Sequence, residues 1–431
     1  GARGGQKTPA RLIAYGPRGE ILWTFDASDR LGVVWSYDVD PLGNGNLFVT
    51  ATRPGRTLLY ELDTRTGDVV RTQVLPYTDT HDADPLNRTH VVIANMRNYN
   101  ATSGENEDRV VVYDLRNDTV DWEWQFDDQS RYDRSNGGNY EEDWTHVNDV
   151  DRVGDDQFLV SPRNFDQVLL INRTTGEIDL RLGSDDRTDR LFEQHNPDYL
   201  ESDDGNPTFL VADSENDRVV EYAHRGGEWV RTWTLGDSST LSWPRDADRL
   251  KNGHTLIADS RNHRVIEVAP TGEVVWEVYA PWLVYDVERI PVGGFAADGY
   301  RDQGGSRGPT MADLRATAGY TLSGAAPPEA SALEACAETV RAHEGGFGSA
   351  DFGNTATPSP TGTVSPTPTV TAGTPAPSPT ATPSPTRPAT VATPVRSPTP
   401  TPGSFVPVPG FGALVTLLAL AVALAVTRLR N

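Results

Sequence analysis

One six-residue pattern recurs along this chain and constrains its fold more than any other feature. It reads Tyr37-Asp-Val-Asp-Pro-Leu42, His81-Asp-Ala-Asp-Pro-Leu86, Asn148-Asp-Val-Asp-Arg-Val153, His195-Asn-Pro-Asp-Tyr-Leu200, Arg245-Asp-Ala-Asp-Arg-Leu250 and Tyr285-Asp-Val-Glu-Arg-Ile290. After each of the first five comes a turn, such as Gly43-Asn-Gly45, then a β-rich run such as Leu47-Phe-Val49 or Phe158-Leu-Val160. A further strand follows (Val110-Val-Val-Tyr113, Val168-Leu-Leu-Ile171). A Thr-Gly turn and a fourth strand often close the unit, as at Thr271-Gly272 and Val274-Val-Trp276. Four short strands per unit, at intervals of roughly 40 to 65 residues, is the signature of a β-propeller blade. The sixth hexad lacks its outer strands, while the N-terminus holds two orphan ones, Leu12-Ile-Ala-Tyr15 and Ile21-Leu-Trp-Thr-Phe25. If these complete the last blade, no sheet edge stays open. The expectation is therefore an all-β, six-bladed propeller over residues 11–290, closed by N-terminal strands.

The acid at the fourth hexad position (Asp40, Asp84, Asp151, Asp198, Asp248, Glu288) occurs in every unit. A feature shared by all blades reads as a turn-stabilising side chain rather than a site. Function should lie where blades differ. The first hexad position, at one mouth of the channel, varies: Tyr37, His81, Asn148, His195, Arg245, Tyr285. His146 sits two residues before Asn148, on the same side by period-two alternation. Second-strand ends add Arg53, Arg97, Arg163 and Arg261, with Glu215 in the fourth blade. Three insertions, 98–108, 125–145 and 184–194, fall on this face. Basic groups gathered inside an acidic shell suit an anionic ligand, with Arg163 offering a planar fork to its oxygens. Three histidines could also hold zinc, but the surrounding arginines would repel a cation. No metal and no cofactor is expected.

These residues carry a resemblance. Trp144-Thr-His-Val-Asn-Asp-Val150, Phe158-Leu-Val-Ser-Pro-Arg163 and Phe192-Glu-Gln-His195 resemble the arylsulfate sulfotransferase family, six-bladed propellers that use no nucleotide sulfate donor. The resemblance implies that His195 takes the sulfuryl group, that His146, Asn148 and Arg163 hold sulfate oxygens, and that His81 is a further pocket histidine. Arg97, Arg245, Arg261, Tyr37 and Tyr285 would line the substrate site. The implied partners are an aryl sulfate donor and a phenolic acceptor. The chain lacks the cysteine pair of some bacterial relatives. The alternative is a non-catalytic surface propeller that binds an anionic ligand, a glycan or a protein. A quinone-dependent propeller is less fitting, because no repeated tryptophan docking motif is present.

All 61 acidic residues lie at or before Asp351, and only four of the 38 basic ones follow it. Such an acidic body argues against nucleic acid as a partner. With lysine only at Lys7 and Lys251, it resembles the proteins of salt-loving archaea, whose brine screens surface repulsion. Cys336 is alone, so no intrachain disulfide forms; it is expected as a small buried hydrophobe in a short helix over 328–343. Residues 291–352 read as a loop and short-helix extension, and 353–408 as a disordered Thr/Pro-rich stalk. Residues 409–431 join Pro409-Gly410-Phe411 to a hydrophobic helix from Gly412 to Thr427 and a basic end. This ending resembles the PGF-type sorting signal of archaeal surface proteins. It implies an archaeosortase-type processing enzyme and a membrane anchor, through the C-terminal helix or a lipid, with the large domain on the extracellular face. Sequons at Asn87, Asn100, Asn117 and Asn172 fit such exposure.

Overall fold

The computed structural model describes residues 10–185, 187–290, 308–316, 318–343 and 345–347. The stalk and sorting signal lie outside the described residues, as does the middle of the 291–352 extension. Among the described residues, no helix is long and apolar enough to cross a membrane.

Five antiparallel four-stranded sheets follow one another along the chain. Their strands are Trp35–Pro41, Asn46–Arg53, Arg56–Asp63 and Val69–Leu75 in blade 1, and Ala83–Pro85, His90–Asn95, Arg109–Asp114 and Thr119–Gln125 in blade 2. Blade 3 has Val147–Val153, Gln157–Pro162, Gln167–Asn172 and Ile178–Gly183. Blade 4 has His195–Leu200, Thr208–Asp213, Arg218–Arg225 and Glu228–Leu235, and blade 5 has Pro244–Arg249, Thr255–Asp259, Arg264–Val268 and Val274–Tyr279. The middle strands are apolar on both faces because each is covered by a neighbouring blade on either side. The fourth strands alternate, so Val70 and Val74 of blade 1 face solvent.

Successive blades share wedges of core. Val92, Val110 and Trp124 of blade 2 pack on Phe158, Val160 and Leu169 of blade 3. Phe48 and Leu59 of blade 1 pack on Val91 and Val111 of blade 2. Each fully buried side chain of this size contributes about 1.5–3 kcal/mol.

Among the described residues five complete blades are formed, not the six expected. The sixth sector holds a two-stranded hairpin, Arg11–Tyr15 paired with Ile21–Asp26, and the sixth hexad runs beside the axis without joining a sheet. The reason is visible in the chain: no β-rich run follows Ile290 as it follows the other hexads, and residues 291–307 lie outside the described set. The hairpin still fills the gap. Trp23 and Phe25 join the core of blade 1, while Tyr15 packs against Val265 and Val278 of blade 5.

The expected helix forms over Ala330–Ala342, with Val340 buried and Cys336 half-buried, its thiol 3.3 Å from Tyr279 O. Beyond it Thr24 N donates to Gly345 O at 2.9 Å, and Phe347 stacks on Trp23 at 4.9 Å. Asn87 and Asn117 are exposed; Asn100 and Asn172 are half-buried, their amides turned to Glu107 and Asp179.

Among the fourth-position acids, Asp84 serves no turn but bonds the main chain of the next hexad, and the second-position acids Asp82, Asp246 and Asp286 do the same. Asp82 Oδ2 accepts from Val150 N, and Asp84 Oδ2 accepts from Arg152 N at 2.8 Å. Asp246 Oδ2 accepts from Val287 N at 3.0 Å, and Asp286 Oδ2 accepts from Val39 N at 2.8 Å. Burial pushes Asp82, Asp84 and Asp286 up to about 7, against the pull of those amides. Burial and neighbouring carboxyls push Asp38, Asp40, Asp149, Asp151, Asp246, Asp248 and Glu288 well above the usual carboxylate range.

A carboxyl raised above its unfolded value of about 3.9 binds more protons in the native state, so its contribution is lost as pH rises. Unfolding free energy at fixed salt should therefore fall between about pH 4 and pH 7. Asp84→Asn keeps the acceptor for Arg152 N but cannot ionise. It should flatten the slope by up to about 1.4 kcal/mol per pH unit, measured by denaturant titration across that range. An unchanged slope would mean that Asp84 is not protonated in the native state.

Candidate active site at one mouth of the propeller

The inner strands do more than line the axis. In blades 1, 3, 4 and 5 each carries a register break near the start of its hexad. Such bulges re-aim side chains. Left-handed backbone at non-glycine residues gathers at the same end: Asp79, Arg97, His146, Glu193, Asn196 and Trp243. Strained backbone of this kind clusters at functional sites.

The aimed side chains form one packed cluster. Tyr37 stacks on His81 at 3.8 Å, and His81 meets His146 edge-on at 4.9 Å. Tyr285 donates or accepts at His81 Nδ1 over 3.0 Å, and its ring lies 6.0 Å from that of His195. The residues of hexads one, two and six thus meet, and the mouth is closed although the sixth blade is incomplete. Arg163 sits in the turn that ends the second strand of blade 3.

His195 is fully buried, and its tautomer follows from its neighbours. Ser214 has one hydroxyl proton. It lies 2.6 Å from Pro244 O, which can only accept. Toward His195 Nδ1, 2.9 Å away, Ser214 must therefore accept. His195 carries its proton on Nδ1 and turns the Nε2 lone pair to the mouth, where Arg245 Nη1 donates to it. Burial, then Arg245 and Arg163, holds His195 well below the usual histidine range, so the ring is a neutral base at pH 7.

His146 is set by a different device. Its Nδ1 lies 2.7 Å from Asp143 Oδ2. Burial and Arg163 bring His146 down to about 4 despite Asp143. Burial alone would raise Asp143, but His146 and Arg97 hold its carboxyl well below the usual range. His146 is thus neutral with Nδ1–H toward Asp143, and its buried Nε2 has no partner. Asn148 spends its Nδ2 on Gln194 O at 2.9 Å, which leaves Oδ1 buried and unpartnered. In this arrangement both residues offer acceptors, not the donors expected for sulfate oxygens.

The donors are arginines. Arg245 lies over Trp243 at 3.4 Å and near Tyr285 at 5.1 Å. Burial lowers its pKa to about 10, so it stays charged, and its buried Nε has no partner. Arg163 binds Asn164 Oδ1 through Nε and Nη2, at 3.0 and 2.8 Å. Two other expected cations sit outside the cluster. Arg97 is committed to Asp79 and Asp143, so it braces the loop that holds His146. Arg261 is exposed and covers the outer side of Trp243 at 4.1 Å.

Two insertions support the site. Asn106 donates to Tyr140 O at 2.8 Å, and Asp108 Oδ2 accepts from Thr145 N and Oγ1. The segments 98–108 and 125–145 are thereby tied together behind His146. Sequence reading missed Ser214, Asp143 and Trp243, and took Gln194 only as part of a motif. Ser214 follows the second strand of blade 4 as Arg163 follows that of blade 3, so its position was a usable signal. Trp243 immediately precedes Pro244 and Arg245 but looks like any other propeller tryptophan.

Ser214→Ala removes the hydroxyl acceptor at Nδ1. Nitrogen-15 spectra of histidine-labelled protein should show His195 as a single Nδ1–H tautomer in the wild type and in Ser214→Thr. A tautomer mixture is expected in Ser214→Ala. A single unchanged tautomer in the alanine variant would mean that Arg245 alone sets the ring.

No curated protein matches the sequence. Among solved structures, a protein of unknown function from Bacteroides caccae is similar at 14% identity and TM-score 0.43, over 63% of this chain and 94% of its own. A streptogramin B lyase is similar at 11% identity and TM-score 0.41, over 66% and 78%. The WD40 propeller domain of Doa1 is similar at 12% identity and TM-score 0.34, over 52% and 60%. Residues 5–209, which include His81, His146, Asn148, Arg163 and His195, match the family model of the arylsulfotransferases (ASST).

Proposed function

We propose that this chain is an arylsulfate sulfotransferase that moves a sulfuryl group from an aryl sulfate to a phenolic acceptor through a sulfohistidine at His195. The observation that carries this reading is the fixed tautomer of His195: buried, neutral, with Nδ1–H held by Ser214 and Nε2 at the mouth. A neutral imidazole nitrogen so placed is an activated nucleophile. The family match over residues 5–209 supports the reaction class.

In the first half-reaction, Nε2 of His195 attacks sulfur and an N–S bond forms. The S–O bond to the aryl group breaks, and the phenolate leaves with the electron pair. Arg245, now on His195, turns to a sulfate oxygen as the anion enters, which frees Nε2. Arg163 takes another oxygen. Donors of this kind are worth roughly 2.7–4 kcal/mol each at a developing charge. His81, joined to Tyr285, supplies a proton to the leaving oxygen. In the second half, the acceptor phenol attacks sulfur and the N–S bond breaks. The phenol proton passes to His81 or to the unpartnered Nε2 of His146, whose Asp143 partner stabilises the resulting cation.

The composition and the C-terminal sequence support placing this activity on the outer face of an archaeal cell in strong brine, anchored after processing at Pro409-Gly410-Phe411. An aryl sulfate there needs no nucleotide donor from the cytoplasm.

The test is acceptor-dependent release of phenol from an aryl sulfate in molar salt. Wild type should turn over by a ping-pong scheme. His195→Ala should lower turnover by at least about a thousandfold. Arg163→Ala should lower it by about 10²–10³. His146→Ala should slow the acceptor half-reaction more than the initial burst of phenol. Full activity in His195→Ala would overturn the nucleophile. No release from folded wild type, with several donors, would favour a binding propeller.

A further inference from the structure

At the far end of blade 2 from the mouth, three side chains from three adjacent strands converge. His90 opens the second strand and pairs in register with Asp114 at the end of the third. Asp114 in turn pairs with Thr119 of the fourth, and Asp121 lies two residues on. His90 Nε2 is 3.0 Å from Asp121 Oδ2 and 3.8 Å from Asp114 Oδ2. One ligand atom from each residue lies within 4.8 Å of the other two.

The His90 ring is held from its far side. Asn87 Oδ1 accepts from Thr89 N and His90 N at 2.8 and 3.0 Å. Thr89 Oγ1 and Asn87 Oδ1 lie 2.9 and 3.3 Å from His90 Nδ1. Nε2 therefore faces the two carboxylate oxygens, and in the tautomer with its proton on Nδ1 it offers a cation between them its third ligand. The carboxylates are oriented as well. Asp114 Oδ1 accepts from Arg116 N at 2.7 Å, and Asn117 Nδ2 donates to its Oδ2 at 2.6 Å. Thr119 Oγ1 donates to Asp121 Oδ1 at 3.2 Å, which leaves Oδ2 for the centre. Outer partners that orient the ring and the carboxylates are the usual support of a metal site.

We propose that His90, Asp114 and Asp121 bind a divalent transition-metal cation of the Zn²⁺ type. One imidazole nitrogen with two carboxylate oxygens is a donor set for such ions. Tetrahedral ligands at about 2.0–2.1 Å stand about 3.3 Å apart, and the separations of 3.0 and 3.8 Å straddle that value. Asp121 is 43% exposed, so the ion enters from solvent and keeps a position for water. Bound there, it ties the second, third and fourth strands of blade 2 at the end remote from the sulfuryl chemistry.

The test is titration of Zn²⁺ alone into the chelator-stripped full chain, followed by calorimetry and by thermal unfolding. One saturable equivalent is expected, with a higher Tm that a chelator reverses. His90→Gln and the exposed Asp121→Asn should each weaken binding at least tenfold, with Asp121→Asn folding as the wild type does. Replacement by Co²⁺ should give visible absorption bands that both substitutions abolish. No saturable binding, or binding unchanged in both variants, would overturn the proposal. So would a Tm that falls in His90→Gln but ignores both metal and chelator, since His90 would then be an imidazolium bridging two carboxylates.

Discussion

The structure rests on side-chain carboxyls that bond the main chain of the next inner strand. A propeller leaves the axial edge of every first strand without a sheet partner, and its amides still need acceptors. Here Asp82, Asp84, Asp246 and Asp286 supply them for Val150, Arg152, Val287 and Val39. Each link crosses from one hexad to the next. The acid recurs through the chain because the unpaired edge recurs. The same links fix the height of each strand along the axis, and so decide which residue of each hexad reaches the mouth.

Packing so many acids around one axis has an electrostatic consequence. Ionised together, they would repel one another through a medium that screens poorly. Burial instead favours the protonated forms, and a neutral carboxyl still accepts from an amide. The mouth obeys the same rule with the opposite sign. His195 and His146 lie among arginines, and burial keeps both neutral. Of the basic groups there, the guanidinium groups, whose intrinsic basicity is far higher, hold their charge. Even the most buried of them, Arg245, comes down only to about 10.

Much of this was legible in the sequence. The hexad located every inner strand, and the variable first position named the mouth residues that the structure brings together. What sequence could not give was direction. Asp84 was read as a turn former because alternation shows which side chains share a face, not which amide lies beyond that face. The roles of Asn148 and His146 depend on Gln194 O and Asp143, contacts set by loop geometry rather than by spacing. Six hexads also suggested six sheets, yet a hexad without a following β-rich run packs as a bare segment, with a hairpin covering the space.

The neutral carboxyls and the charged arginines together resolve an apparent conflict. A chain of formal charge −23 should repel an anionic substrate. That figure counts every acid as ionised, including the axial ones that burial keeps protonated. The remaining negative charge is spread over the outer surface, and in salt it is screened beyond about 8–10 Å. In the proposed reaction Arg163 and Arg245 would act on an anion at contact distance, where mobile ions cannot intervene. The field felt there would come from these guanidinium groups and their nearest carboxylates, Glu193 and Asp143, rather than from the body of the protein. An acidic exterior that favours solubility in brine is compatible with an anion site, because burial lowers the charge on the axial acids between them.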